Sequence, residues 1–296
     1  MPKITPSEYT CTLSESRLKQ AKEELNEDPE TRLQKCQEVL DLISESNPEI
    51  HVNPDPKFLI RFLRARKFNV KRAADNVIAH YTKKYEDPEI FENLLPSVVS
   101  PFFEHMPIGY LPKCDEKGRR VIFQNGGSID FSNLPIEQGF RIHTMILEML
   151  LLDEDIQVGG LIEINNMRGF SLNHFNTIRP HLQRVSNLLD KTIPMRFKGS
   201  IVINPPGLIG ELVKLVKLVL SKKLQERINI YSGTSVDSEL QRIFGKECLP
   251  EAFGGDEKSD FMNDWKQRLL DCEEYFKEQQ KFGISKSGTY TLVNNM

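Results

Sequence analysis

The sequence predicts an α/β protein in which a helical N-terminal module precedes a domain built on a mostly parallel β-sheet. Three observations carry the prediction. Up to Pro88 the chain shows helical periodicity and helix-capping residues. From Arg119 onward, short Val- and Ile-rich runs alternate with longer stretches of helical period, the pattern of right-handed βαβ units. With 296 residues, 39% hydrophobic and 27% charged, the chain can bury a sizeable core in one large domain, or in a large one beside a small one.

Residues 14–46 are highly charged and contain no glycine. They set Leu33, Val39, Leu40 and Ile43 along an apolar face, which predicts two short amphipathic helices broken near Pro29. Asp55-Pro56 gives an N-cap and a first-turn proline to KFLIRFLRARKF, and Asn69 caps VKRAADNVIAHYTKKY. After the turn Asp115-Glu116-Lys117-Gly118, RRVIFQNGG reads as a strand. PIEQGFRIHTMILEMLLLDE is helical, VGGLIEINN a strand, SLNHFNTIRPHLQRVSNLLD a helix interrupted at Pro180, and MRFKGSIVIN a strand. The short strand RINIYSG and the helix SVDSELQRIFG follow. One more helix is expected around residues 265–276, then a polar tail, KSGTYTLVNNM, without fixed structure. The expected divisions are 10–90 for the helical module, 95–256 for the α/β domain and 257–296 for the closing helix and tail.

Net charge is −3, so attraction to nucleic acid is not expected and any attraction to anionic lipid needs a local patch. Cys11, Cys36, Cys114, Cys248 and Cys272 are scattered without CxxC spacing, which points away from disulfides or zinc and toward a reducing compartment. MPKITPSEYT has no apolar h-region. A cytoplasmic monomer is the expectation.

An α/β domain invites an enzymatic reading, but GxSxG, HExxH, GxxxxGK[ST] and a strand-borne GxGxxG are missing. NGGS at Asn125 lacks the third glycine and opens no helix, so a structural turn is expected. His174 and His181 are joined by no carboxylate or cysteine, so no metal site is expected there. His143 reads as a core or pocket-lining residue, with nothing at helical spacing to orient it as a base. Glu163 stands in apolar surroundings, paired with an Arg or Lys or facing solvent. No enzymatic activity and no cofactor are expected.

PPGLIGELVKLVKLVL, from Pro205, is apolar but interrupted by Glu211, Lys214 and Lys217. A bilayer span needs about 20 mostly apolar residues in a row, and this is not one. On a helical wheel Glu211, Lys214, Ser221, Lys222 and Gln225 share one side, and Leu208, Leu212, Leu215, Val216 and Val219 the other. Two readings stay open. One is an ordinary core-covering helix. The other is an element that dips into a membrane interface, because Ile209, Val213, Leu218 and Leu220 widen the apolar arc and Lys222, Lys223 and Arg227 follow at once.

Four stretches together resemble the CRAL-TRIO lipid-binding family. They are FLIRFLRARKFNVKRA from Phe58, ILEMLLLDEDIQVGGLIEINNMRGF from Ile146, IPMRFKGSIVINPPGLI from Ile193 and CLPEAFGGD from Cys248. Each is weak alone; their order and spacing are specific. Within the family the chain is similar to the retinaldehyde-binding and α-tocopherol-transfer branch, with RARKFNV and MRFKG leaning toward the former. The resemblance implies a mixed, mostly parallel sheet flooring a hydrophobic cavity, beside the helical module, with residues 206–227 as a mobile lid. It implies a ligand cavity lined by His143, Ile146, Met149 and Leu150 from the first helix of the α/β domain. Leu161 and Asn165 would come from the following strand, Ile178 and Leu182 from the Pro180 helix, and Ile193, Phe197 and Ile201 from the next strand and its approach. Leu212, Leu215, Val216 and Val219 would close it from the lid.

The resemblance also implies a phosphoinositide headgroup cleft, whose basic positions fall on Arg66, Arg196, Lys223 and Arg227; Gln225 stands where a further basic residue is common. Asn165 replaces a glutamate of the retinaldehyde binders and an apolar residue of the tocopherol branch, so neither ligand carries over directly. Lys198 matches a family lysine near the pocket or faces water, and the yeast-type phospholipid exchangers give a further ligand model. The function implied is a cytosolic carrier that binds one hydrophobic molecule, a retinoid, tocopherol or related lipid, and transfers it at phosphoinositide-bearing membranes such as endosomes. The alternative is a phosphoinositide-sensing regulatory protein whose cavity lipid is only structural.

Overall fold

The computed structural model describes residues 4, 9–188, 192–207 and 220–284. The N-terminal module contains α1 (Glu15–Leu25), α2 (Arg32–Ser46), the two-residue strand β1 (Ile50–His51), α3 (Pro56–Ala65) and α4 (Val70–Glu86). Chain chemistry sets the helix starts. The Asp55 carboxylate accepts from the Lys57 amide at 2.8 Å with Pro56 in the first turn, and Asn69 Oδ1 accepts from the Arg72 amide at 2.9 Å. The break near Pro29 falls between α1 and α2 as expected. Leu25, Val39, Ile43, Leu59, Leu63 and Val77 meet in a core with no solvent exposure.

Two short helices, α5 (Pro88–Phe91) and α6 (Pro96–Val99), lead into the second domain. Its sheet has the order β2 (Ile108–Tyr110), β3 (Arg120–Gln124), β4 (Leu161–Asn166), β5 (Phe197–Ile203), β6 (Ile228–Tyr231). Only the β2–β3 pair is antiparallel, so the sheet is mixed and mostly parallel. β2, three residues long, is too short to show alternation in sequence. One sheet face presents Val121, Phe123, Ile162, Ile164, Ile201 and Ile203 to the helix Val236–Phe244, forming a closed core. The other face looks toward α7 (Ile136–Leu150), α9 (Leu172–Ile178) and α10 (Leu182–Asn187). Between α7 and β4 lies α8 (Glu154–Gly159). VGG therefore belongs to a helix end and not to the strand: Gly160, at φ +88°, makes the turn that starts β4.

The C-terminal segment is integral. The expected single helix is two, Asp264–Leu270 and Glu273–Gln279. Trp265 is fully buried and donates its indole N–H to the Ile108 carbonyl at 2.7 Å. Beyond them β7 (Gly283–Ile284) pairs antiparallel with β1, tying the chain's end to the N-terminal module. The expected tail, 286–296, lies outside the described residues. All five cysteines are free thiols. Among the described residues no helix is long and apolar enough to cross a membrane.

Buried charge joins the two domains. Arg64, fully buried on α3, donates to Glu27 at 2.8 Å and to Glu154 and Gln157 of α8 at 3.0 and 2.7 Å. Arg61 donates to Glu148 of α7 at 2.8 Å. Cations and carboxylates this deep persist only when mutually satisfied.

Candidate ligand cavity

The inner sheet face and helices α7, α9 and α10 enclose a cavity of about 350 Å³, within the range of small-molecule sites. Its wall on α7 is Ile136, Gly139, Phe140, His143, Thr144 and Leu147, a stripe at three- and four-residue spacing. From the sheet come Glu163 and Asn165 on β4, Phe197, Ser200 and Val202 on β5, and Ile228 on β6. Phe175, Ile178, Leu182, Val185 and Leu188 supply the opposite side, with Leu220 and Leu224 at the far end of the chain's most apolar segment.

His143, Asn165, Ile178, Leu182, Ile193 and Phe197, named from the sequence, all line this cavity. Ile146, Met149, Leu150, Leu161 and Ile201 do not; they are core residues. Ile146 and Met149 turn to the flank of α7 and pack in the core it shares with the helices before the sheet, while Leu150 lies one turn past the end of the stripe. Leu161 starts β4, below the cavity. Ile201 lies on the other sheet face because of a register shift: Leu161 pairs with Phe197 but Ile162 pairs with Gly199, leaving Lys198 as an extra residue. One extra residue inverts the alternation, so Phe197, Ser200 and Val202 share the cavity face and Ile201 and Ile203 the closed core. Leu212, Leu215, Val216 and Val219 lie outside the described residues.

Sequence reasoning missed Phe140, Thr144 and Leu147, although the α7 stripe was open to periodicity, and it missed Glu163. The Glu163 carboxylate faces the cavity, not solvent, and its neighbour is a histidine, not Arg or Lys. Glu163 Oε1 lies 3.4 Å from His143 Nε2, an ion-pair distance without hydrogen-bond geometry. A strand-borne carboxylate thus approaches His143, where no partner at helical spacing existed. Asn165 Nδ2 donates to Ser200 Oγ at 2.9 Å and reaches Glu163 Oε2 at 3.5 Å. His174 caps α9 through Ser171, and its Nε2 lies 2.9 Å from the Ile129 carbonyl. Gly126–Ser128 forms a short 3-10 turn; a Cβ on Gly127 would meet the Arg168 carbonyl at 2.2 Å, so the double glycine serves packing against the loop after β4.

Of the basic positions, Arg196 and Arg227 gather with Lys198 at the beginning of β5. Arg196 donates to Glu24 of α1 at 2.6 Å and to the Val158 carbonyl, and Arg227 donates to the Phe197 carbonyl. Burial lowers the Lys198 ammonium to about 8, and Arg196 and Arg227 push the same way against the opposite pull of Glu24. Asn26, which caps α1 two residues after Glu24, contacts the Lys67 carbonyl at 3.5 Å, so the end of α1 touches both the Arg66 turn and Arg196. Lys223 is exposed on the short helix Lys222–Gln225.

An α/β domain holding an apolar cavity on one sheet face, clamped to a helical module, defines the class as a binding fold for an apolar molecule. Residues 104–255 match the CRAL/TRIO domain and residues 17–78 the CRAL/TRIO N-terminal domain. The chain belongs to the CRAL/TRIO family of lipid-binding proteins. It is 30% identical over 279 residues to the human alpha-tocopherol transfer protein-like protein, covering 94% of this chain and 81% of that one. Clavesin-1 of Xenopus laevis is 31% identical over 252 residues, covering 83% and 75%. Among solved structures Sfh5 shares the fold, with a TM-score of 0.50 and 12% identity, covering 86% of this chain and 98% of that one.

Proposed function

We propose that this protein is a cytoplasmic carrier that holds one apolar lipid in the α7–sheet cavity and exchanges it at membranes bearing phosphoinositides. The observation that carries the reading is the cavity itself: about 350 Å³ of space walled by Phe, Leu, Ile and Val side chains, with polar groups confined to one region. The relatives named for tocopherol transfer support a lipid cargo. Residues 206–227 act as the lid. Leu220 and Leu224, at its end, line the cavity, and the intervening sequence is apolar enough to meet either cargo or bilayer. Arg66, Arg196, Lys223 and Arg227, joined by Lys198, receive the headgroup phosphates, each contributing on the order of 1 kcal/mol. Glu24 has to yield Arg196 to the phosphate.

The test is transfer of a fluorescent retinoid or tocopherol analogue from donor to acceptor vesicles, with and without bisphosphorylated phosphoinositide in the acceptor. Transfer is expected to be faster toward phosphoinositide, and Val216→Asp with Val219→Asp slows it, because a charge in the cavity mouth or interface is costly. Equal transfer by wild-type protein and the folded double variant contradicts the lid. No transfer of any lipid, with phosphoinositide binding intact, favours a headgroup sensor with a structural lipid.

A further inference from the structure

The cavity is apolar except where β3, β4, β5 and α7 face one another, with Gln124 of β3 opposite Asn165. Glu163 sits directly opposite Ser200 in the β4–β5 register, Asn165 follows on the same strand face, and His143 approaches from the helix. Glu163 is 8% exposed, yet its Oε1 has no hydrogen-bond donor. The His143 Nε2 beside it, 3.4 Å away, is also unpartnered, and so is the hydroxyl of Thr144, which is 1% exposed. Asn165 commits its amide to Ser200 at 2.9 Å and reaches Glu163 only at 3.5 Å. Folded proteins leave few buried polar atoms unsatisfied, so several on one cavity wall call for a partner from the cavity.

We infer that the cargo is an apolar lipid whose single polar group is a hydroxyl, donated to Glu163 and accepting from His143. This rests on the carrier reading. A carboxylate is acceptor-only when ionised, so the ligand must bring a donor. An ether, ester or aldehyde brings only acceptors and leaves Oε1 as it stands. A fatty acid sets a second carboxylate against the first. An ammonium group satisfies Glu163 but brings no acceptor for the unpartnered His143 Nε2 beside it. A hydroxyl, donor and acceptor at one atom, suits both sides.

The test uses the full chain equilibrated with phosphatidylcholine vesicles carrying retinol, α-tocopherol or octadecan-1-ol, each beside its methyl ether, and with stearate and octadecylamine. Protein-bound lipid is quantified by mass spectrometry after the vesicles are removed. At least one alcohol is expected to be retained about ten-fold or more over its own ether, since the ether leaves a buried acceptor unmet. Glu163→Gln, of nearly the same shape, is expected to reduce that preference to within about three-fold, because the amide no longer supplies a carboxylate oxygen. A circular dichroism spectrum and a urea midpoint like those of the unaltered protein show that the variant has kept its fold. Alcohols and ethers retained alike, stearate or octadecylamine preferred to octadecan-1-ol, or a Glu163→Gln variant that keeps the full preference would each overturn the hydroxyl inference while leaving a carrier in place. Retention of none of these lipids removes the carrier reading together with it.

Discussion

Arg64 is wholly buried and divides its guanidinium between Glu27 of its own module and Glu154 of the next domain. Removing one partner of such a cluster strands the others, so Arg64→Ala is expected to cost about 3–5 kcal/mol in urea unfolding. A loss below about 1 kcal/mol would mean the cluster does not join the domains. Glu154 also sets the acid response. Burial alone would raise its carboxyl, but Arg64, with hydrogen bonds from Tyr9 and Thr12, outweighs burial and holds it below the ordinary range. A carboxyl lowered in the folded state contributes stability above the unfolded pKa of about 4.3, and this is lost as pH falls through the folded value. Burial holds the His80 imidazole down to about 3, so the urea midpoint should already fall as pH drops below about 6.5, where the unfolded imidazole is protonated and the folded one is not. The further loss that Glu154 adds below about pH 5 should be smaller in Arg64→Ala. Lys198 gives the opposite edge. With its ammonium lowered to about 8, it needs protonation to hold a phosphate, so phosphoinositide binding should weaken as pH rises through 8. Vesicle co-sedimentation from pH 7 to 9 reads this, and a flat profile would remove Lys198 from the headgroup site. None of this was legible in FLRARKF, where Arg64 looks like any helix-surface cation, because its partners stand 37 and 90 residues away.

At the scale of elements, β5 decides what faces the ligand. The alternation of MRFKGSIVIN puts Phe197 and Ile201 on one face, and only the unpaired Lys198 separates them. Such a bulge leaves no mark in residue pattern beyond Gly199, which takes φ +154° against the Arg227 carbonyl. Neighbouring truncations should therefore differ sharply. Ile201→Ala, in the closed core, should cost about 2–5 kcal/mol by urea unfolding, whereas Val202→Ala, bordering space already present, should cost under about 1 kcal/mol and alter lipid retention instead. The reverse order would place Val202 in the core and refute the assigned register. By contrast α3, α4 and the Pro180 break were readable, since Asp55-Pro56, Asn69 and Pro180 act on the backbone beside them. The polar wall of the cavity was not, because Glu163, Ser200 and His143 meet only after three elements have packed.

At the scale of the molecule, β7 returns to pair with β1, Trp265 fills the core beneath β2, and Arg61 and Arg64 tie α3 to α7 and α8. This frame holds one sheet face closed and leaves space on the other, so cargo should act on stability by mass action. A protein stripped of lipid is expected to melt lower and recover when its cargo is restored. The central claim is that the space between α7 and the sheet carries a single kind of apolar molecule, and the most direct measurement is chemical. Protein purified from its native cells is extracted with organic solvent, and the extract is identified and quantified by mass spectrometry. The account predicts one predominant hydroxyl-bearing lipid at about one molecule per chain. Mixed phospholipids, or nothing above background from folded protein, would contradict it.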